Sequence, residues 1–275
     1  MDVTEHIDAL HEQGELLAAA AEATGLDDAV PTCPEWQLRD LLDHLGKVHR
    51  WAATYVATGR TTILSEEEEA PIFGDPATDD ALVDWFRSGH RKLCEALRTA
   101  PADLECWTFM PAPSPLAFWA RRQAHETTIH RVDAESVGGK LTPVDKRLAA
   151  DGIDELLLGF ATRGNKLLLD PARTMAVQTT DTDDNWLVSL GPVTPTAERS
   201  AAGAAAGAGA ADGAAAGAAD GAAAGAADGA DCAITGTASD VYLTLWNRLP
   251  TSALATRGDA GIFTGFCDKL HVRWS

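Results

Sequence analysis

What the chain lacks narrows its function first. No apolar stretch approaches the ~20 residues that a membrane span requires. The start, Met1-Asp2-Val3-Thr4-Glu5-His6, has neither the basic residues nor the apolar core of a secretory signal, so a cytoplasmic location is expected. Basic residues are scarce: 22 Lys and Arg stand against 41 Asp and Glu, a net charge of −19. Counterion release from a phosphate backbone therefore cannot drive binding, which excludes nucleic acid and anionic membrane surfaces as favoured partners. An acidic small substrate stays open, because a local metal or arginine outweighs a distant negative surface. Cysteine is sparse too. The five are odd in number, widely spread and without a CxxC pair, which argues for reduced thiols rather than a disulfide frame or a four-cysteine zinc site.

What is there is enough to fold. The 275 residues are 45% hydrophobic, sufficient for one large or two ordinary cores. The first 140 or so read as four amphipathic helices, a bundle. The first spans about Thr4 to Thr24, with Ile7, Leu10, Leu17 and Ala18 inward. The second follows Thr32 or Cys33 as cap and Pro34 in the first turn, and runs to Gly59 with Leu38, Leu41, Leu42, Leu45, Val48 and Trp51 as its stripe. Glu66 to Glu69 read as a solvated loop in a long crossover connection. The third helix covers Asp79 to Thr99, with Leu82, Trp85, Phe86, Leu93 and Leu97 buried, and the fourth covers Leu116 to Val137.

From residue 143 the character changes. A helix over Ala149 to Leu168, strands at Thr174 to Thr180 and Trp186 to Leu190, a strand at Cys232 to Thr237, a helix to Leu249 and a strand at Ala253 to Arg257 predict a small α+β domain. The expected organisation is thus α+β and multidomain, with a helical bundle over 1–142 and the smaller domain over 143–275. The alanine-glycine tract within about 197–231 has nothing with which to build a core, and a disordered insertion is expected there.

Glu126 and His130, four residues apart on the fourth helix, project from one face and form half of a divalent-metal site. His125 and His130 are five apart, diverge by roughly 140° and cannot share an ion as the histidines of a zincin motif do. A third ligand must come from another helix, and His44 is the best candidate. A lone histidine at such a position is more often a core-edge side chain, but the complementary half-site shifts the balance. His125 and His49 point elsewhere and are read as surface or bundle hydrogen-bonding groups. Asp133 is either an acceptor that orients a ligand or an ion-pair partner of Arg131 or Arg122. Trp119 either walls a pocket or is a core tryptophan. Arg248, in the second domain, is the candidate catalytic residue, a binder of a substrate carboxylate.

The run Val30-Pro31-Thr32-Cys33-Pro34-Glu35-Trp36 leading to Asp43-His44-Leu45 and Val48-His49-Arg50-Trp51, then His125-Glu126 with His130-Arg131 and Asp133, resembles the mycothiol-dependent maleylpyruvate isomerase family. Gly236-Thr237-Ala238-Ser239-Asp240 and Leu245-Trp246-Asn247-Arg248 resemble its C-terminal domain more weakly. The resemblance implies a DinB-like metal-binding bundle with His44, Glu126 and His130 as ligands of zinc or a similar divalent ion. It also implies mycothiol as the thiol partner and a smaller α/β domain that helps to close the site. Three protein ligands leave a coordination position open, where a small thiol is deprotonated and becomes a nucleophile. The expected activity is isomerisation of, or thiol transfer to, a small electrophile. Two rival classes remain: a non-enzymatic zinc-binding regulator, and a metal-dependent hydrolase, which needs a general base that Glu126 cannot easily supply as a ligand.

Overall fold

Four long helices close on one another as a bundle, three by apolar stripes and the fourth by a largely polar buried surface. The computed structural model describes residues 1–74, 77–163, 167–201 and 229–272. These divide into two units, Met1–Thr142 and Pro143–Ser275. In the first, α1 (Val3–Glu22), α2 (Leu38–Thr58), α4 (Leu82–Thr99) and α5 (Pro115–Val137) are the long helices, with a short α3 (Glu66–Phe73) between α2 and α4. Packing runs round the ring α1, α5, α2, α4 and back to α1. The connection carrying α3 therefore joins neighbouring helices, not the crossing pair expected, and the diagonal passages are α1 to α2 and α4 to α5. Leu17, Leu38, Leu41, Leu42, Leu45 and Phe86 are buried together in the core.

Several local expectations change. The acidic run Glu66 to Glu69 is the first turn of α3, not a loop. Ser65 precedes it and Glu68 folds back to accept from the Ser65 N–H at 2.9 Å, which places four carboxylates at the positive end of the helix. Helix α2 begins at Leu38, so neither Thr32 nor Cys33 caps it and Pro34 lies outside it. Residues 30–36 instead make successive turns, closed by Val30 N–H donating to the Trp36 carbonyl at 2.9 Å. Asp40 then accepts from the Gln37 N–H at 2.8 Å. Gly59, at φ 63°, ends α2 in the left-handed region. Trp85 is half-buried, not fully buried; it lies against Gly46, where a Cβ would come within 2.1 Å of its ring, and the Arg50 guanidinium sits 3.8 Å over it.

The second unit holds α6 (Lys146–Asp154), α7 (Ala238–Leu245), α8 (Ala260–Lys269) and one five-stranded sheet. The strands β1 (Arg173–Thr179), β2 (Asp184–Leu190), β3 (Thr196–Ala201), β4 (Cys232–Gly236) and β5 (Ala255–Gly258) lie in the order β3-β2-β1-β4-β5. All neighbours are antiparallel except β1 with β4, which run parallel. The architecture is α+β. The helix expected to Leu168 ends at Asp154 and continues only as a wider turn to Phe160. The insertion expected from about 197 starts too early: β3 pairs with β2 across Trp186↔Arg199 and Val188↔Ala197. The rest of the alanine-glycine tract, 202–228, lies outside the described residues. No helix among the described residues is long and apolar enough to cross a membrane.

Candidate metal centre

Helix α5 is buried along most of its length, and its buried side chains are largely polar: Arg122, Gln123, His125, Glu126, Thr127, Thr128, His130, Arg131 and Asp133. Such groups are tolerated inside only when they are paired. Glu126 and His130 share a face, as their spacing requires, and α2 packs its His44 against them. His44 Nε2 lies 3.7 Å from Glu126 Oε1, and His130 Nε2 lies 3.3 Å from the same oxygen. One ligand atom from each of the three lies within 4.8 Å of the others. Two nitrogens or oxygens held at about 2.0 to 2.1 Å around a tetrahedral ion sit roughly 3.4 Å apart, so the cluster has the dimensions and the donor types of a zinc-class site.

The surroundings fix these donors. Asp133 Oδ2 is 2.9 Å from His130 Nδ1. With a carboxylate as acceptor, Nδ1 keeps its proton, and Nε2, which faces Glu126, is the nitrogen that would give up its proton and offer a lone pair to a cation. Asp133 is itself held by Thr32, whose hydroxyl donates at 2.6 Å, and Cys33 Sγ lies 3.7 Å from its other oxygen. Arg122 Nη2 donates to Glu126 Oε2 at 3.0 Å with both side chains buried. Arg131 turns away, to Gln13 and Glu135. Burial opposes ionisation of Glu126, but its bonds to His130 and His44 and the Arg122 charge hold the carboxyl well below the usual range. Burial likewise opposes a charge on His130, and its bonds to Asp133 and Glu126 prevail, carrying it up to about 9 when no cation is bound.

Trp36, marked in the sequence only as the end of the Val30–Trp36 run and given no role there, lies over the cluster: its ring centroid is 4.9 Å from that of His44 and 6.0 Å from that of His130. Prolines at 31 and 34 flanking a turn were the available signal. Trp119 is a core residue, fully buried, stacked on Tyr55 and donating to the Trp107 carbonyl at 3.0 Å. His49 and His125 are both buried within the bundle; His49 Nε2 is 2.9 Å from Thr127 Oγ1, and His125 meets His6 edge-on. Arg248 belongs to the second unit, where Nη1 donates to the Trp246 carbonyl at 2.9 Å beyond the end of α7. Burial pushes the Cys94 thiol up to about 11 and the Cys267 thiol up to about 12, so neither is a thiolate at neutral pH.

Residues 7–135 match the family of mycothiol maleylpyruvate isomerase N-terminal domains. The N-terminal unit belongs to this family. Two solved structures share the fold over 93% of this chain and 93% of theirs: the mycothiol-dependent maleylpyruvate isomerase, at TM-score 0.58 and 11% identity, and a histidine-to-alanine mutant of it, at 0.57 and 11%. The family's matched segment holds His44, Glu126 and His130 together with Trp36, Arg122 and Asp133. No curated protein matches the chain in sequence.

Proposed function

We propose that the chain is a divalent-metal-dependent enzyme that activates mycothiol for isomerisation of, or transfer to, a small electrophile, with His44, Glu126 and His130 as the ligands. The observation that carries this reading is the convergence of two imidazole nitrogens and one carboxylate oxygen from α2 and α5. When bound, a zinc-class ion with three protein ligands supplies an open position at which a small thiol loses its proton near neutral pH. The chain's own residues prepare that position. Asp133 holds the proton on His130 Nδ1, Arg122 fixes one oxygen of Glu126, and Trp36 screens the two histidine rings from water. The nucleophile is proposed to be an external thiol in keeping with the match to mycothiol maleylpyruvate isomerase N-terminal domains, and burial holds the internal thiols of Cys94 and Cys267 protonated. Arg248 is proposed to bind an anionic substrate group, because its guanidinium is a permanently charged, planar donor that matches a carboxylate.

The test is metal analysis of the purified chain, followed by titration of the zinc-loaded protein with mycothiol while thiolate absorbance is recorded. One ion per chain at these ligands and a thiolate that forms only when metal is present support the reading. Turnover of a small conjugated electrophile such as maleylpyruvate must then depend on added thiol. Absence of thiolate in the metal-loaded protein, or turnover without thiol, overturns it.

A further inference from the structure

Away from the His44 cluster, the bundle gathers a second set of metal-ligating side chains. His90 and Cys94 are one turn apart on α4, and His11 faces them from α1; one ligand atom from each lies within 4.8 Å of the others. We propose that His11, His90 and Cys94 form a second cation site in this chain, one that takes a thiophilic divalent ion, zinc above all.

Four observations carry it. The spacing of His90 and Cys94 places both on one face of α4. Their separation also fits a shared ion: Cys94 Sγ is 3.5 Å from His90 Nε2. A tetrahedral zinc with bonds of about 2.3 Å to sulfur and about 2.0 Å to nitrogen holds those two atoms roughly 3.5 Å apart. Third, His90 is 1% exposed, its Nδ1 has no hydrogen-bond partner, and its Nε2 faces only the weakly bonding thiol. A buried imidazole kept for packing ordinarily has its polar atoms satisfied. Fourth, α1 is cut away to admit this ring. A Cβ on Gly14 would stand 2.2 Å from His90 Cε1 and 2.3 Å from Nε2, so only glycine lets the imidazole lie against the α1 backbone one turn from His11.

The donor set selects the ion. Once a bound cation has displaced the Cys94 thiol proton to solvent, a thiolate with two imidazoles and no carboxylate suits zinc and its borderline-soft relatives and disfavours magnesium and calcium. His11 is exposed, so the ion has an entry path, and water completes its coordination on that side.

Cobalt(II) reports the site, because a thiolate ligand gives it a charge-transfer band in the near ultraviolet that histidine and carboxylate ligands do not. The full-length chain, stripped with a chelator, is titrated with cobalt. A thiolate-to-cobalt band is expected that is lost in both Cys94→Ser and His11→Ala and kept in Cys33→Ser and in His44→Ala. His11 is exposed and its replacement leaves the core untouched; circular dichroism verifies its fold. The result is independent of the first site, since a band with this pattern supports the proposal whether one or two cobalt ions bind. No thiolate band in the unsubstituted chain, or a band that survives Cys94→Ser or His11→Ala, overturns it.

Discussion

His130 and Asp133 form a closed pair, Nδ1 to Oδ2 at 2.9 Å, one turn apart on α5 and buried together. The contact settles which imidazole nitrogen faces Glu126, and so which lone pair a cation meets. Asp133→Asn retains the size of the side chain and removes the acceptor charge. Zinc affinity should fall about 10- to 100-fold, with the fold unchanged. Competition with a chelator of known affinity measures it; an unaltered affinity would remove the orienting role of Asp133.

Arg122 and Glu126 are a buried pair joined at 3.0 Å. Removing one partner of a buried pair costs up to about 3 to 5 kcal/mol, an upper bound here because His130 and His44 still face Glu126. Arg122→Met should therefore lower the urea midpoint of the metal-free chain strongly. Zinc should restore part of that loss, because a cation that binds only the folded state stabilises it and offsets the carboxylate. Equal losses with and without zinc would show that Glu126 does not face the ion.

The thiols differ in reach. Cys33 is half-buried in the turn beside Asp133, whereas Cys94 and Cys267 are buried and held up to about 11 and about 12 by burial. Since the thiolate is the reactive form, an aromatic disulfide at pH 7.5 should label Cys33 in the native chain and the other two only after unfolding. Peptide mapping of the labelled protein reads this directly. Early labelling of Cys94 would contradict the packing of α4 on α1.

His49 is fully buried, and burial first, with the neighbouring His90 second, holds its pKa well below the ordinary value of 6.5. The unfolded chain takes up a proton on this ring as pH falls through about 6.5, while the folded chain does not until lower pH. The contribution to stability is therefore complete above that value and is lost as pH falls below it. In the presence of chelator, the drop in unfolding free energy between pH 7.5 and pH 5 should be smaller for His49→Gln than for the unsubstituted chain. The same drop in both would show that His49 already carries a proton in the fold.

Helical spacing made much of the bundle legible. The apolar stripes of α2 and α4 follow a 3.6-residue period, and the same period puts Glu126 and His130 on one face. Helix α5 was harder, because it buries polar side chains all round and so has little amphipathic contrast; the prolines up to Pro115 marked its start, and the structure adds Ser114 as its cap and Gly138 at its end. The strand β3 escaped notice, since Thr196 to Ala201 has no apolar alternation of its own and becomes a strand only through its pairing with β2. Helix α3 escaped because four adjacent carboxylates look like solvated loop until Ser65 and Glu68 are read together as a cap.

By itself, then, the sequence determined what is local: helix periods, the shared face of Glu126 and His130, the i and i+4 pairing of His90 with Cys94, and the charge balance that disfavours polyanions. Tertiary structure alone decided which helices are neighbours, and with that the meeting of His44 with α5 and of His11 with α4. Contacts across dozens of residues depend on how whole faces pack, and no local period encodes that choice. It also decided that the turn at 30–36 brings Trp36 and Thr32 to the site, because two prolines fix the bends of that turn while only packing fixes where it lands.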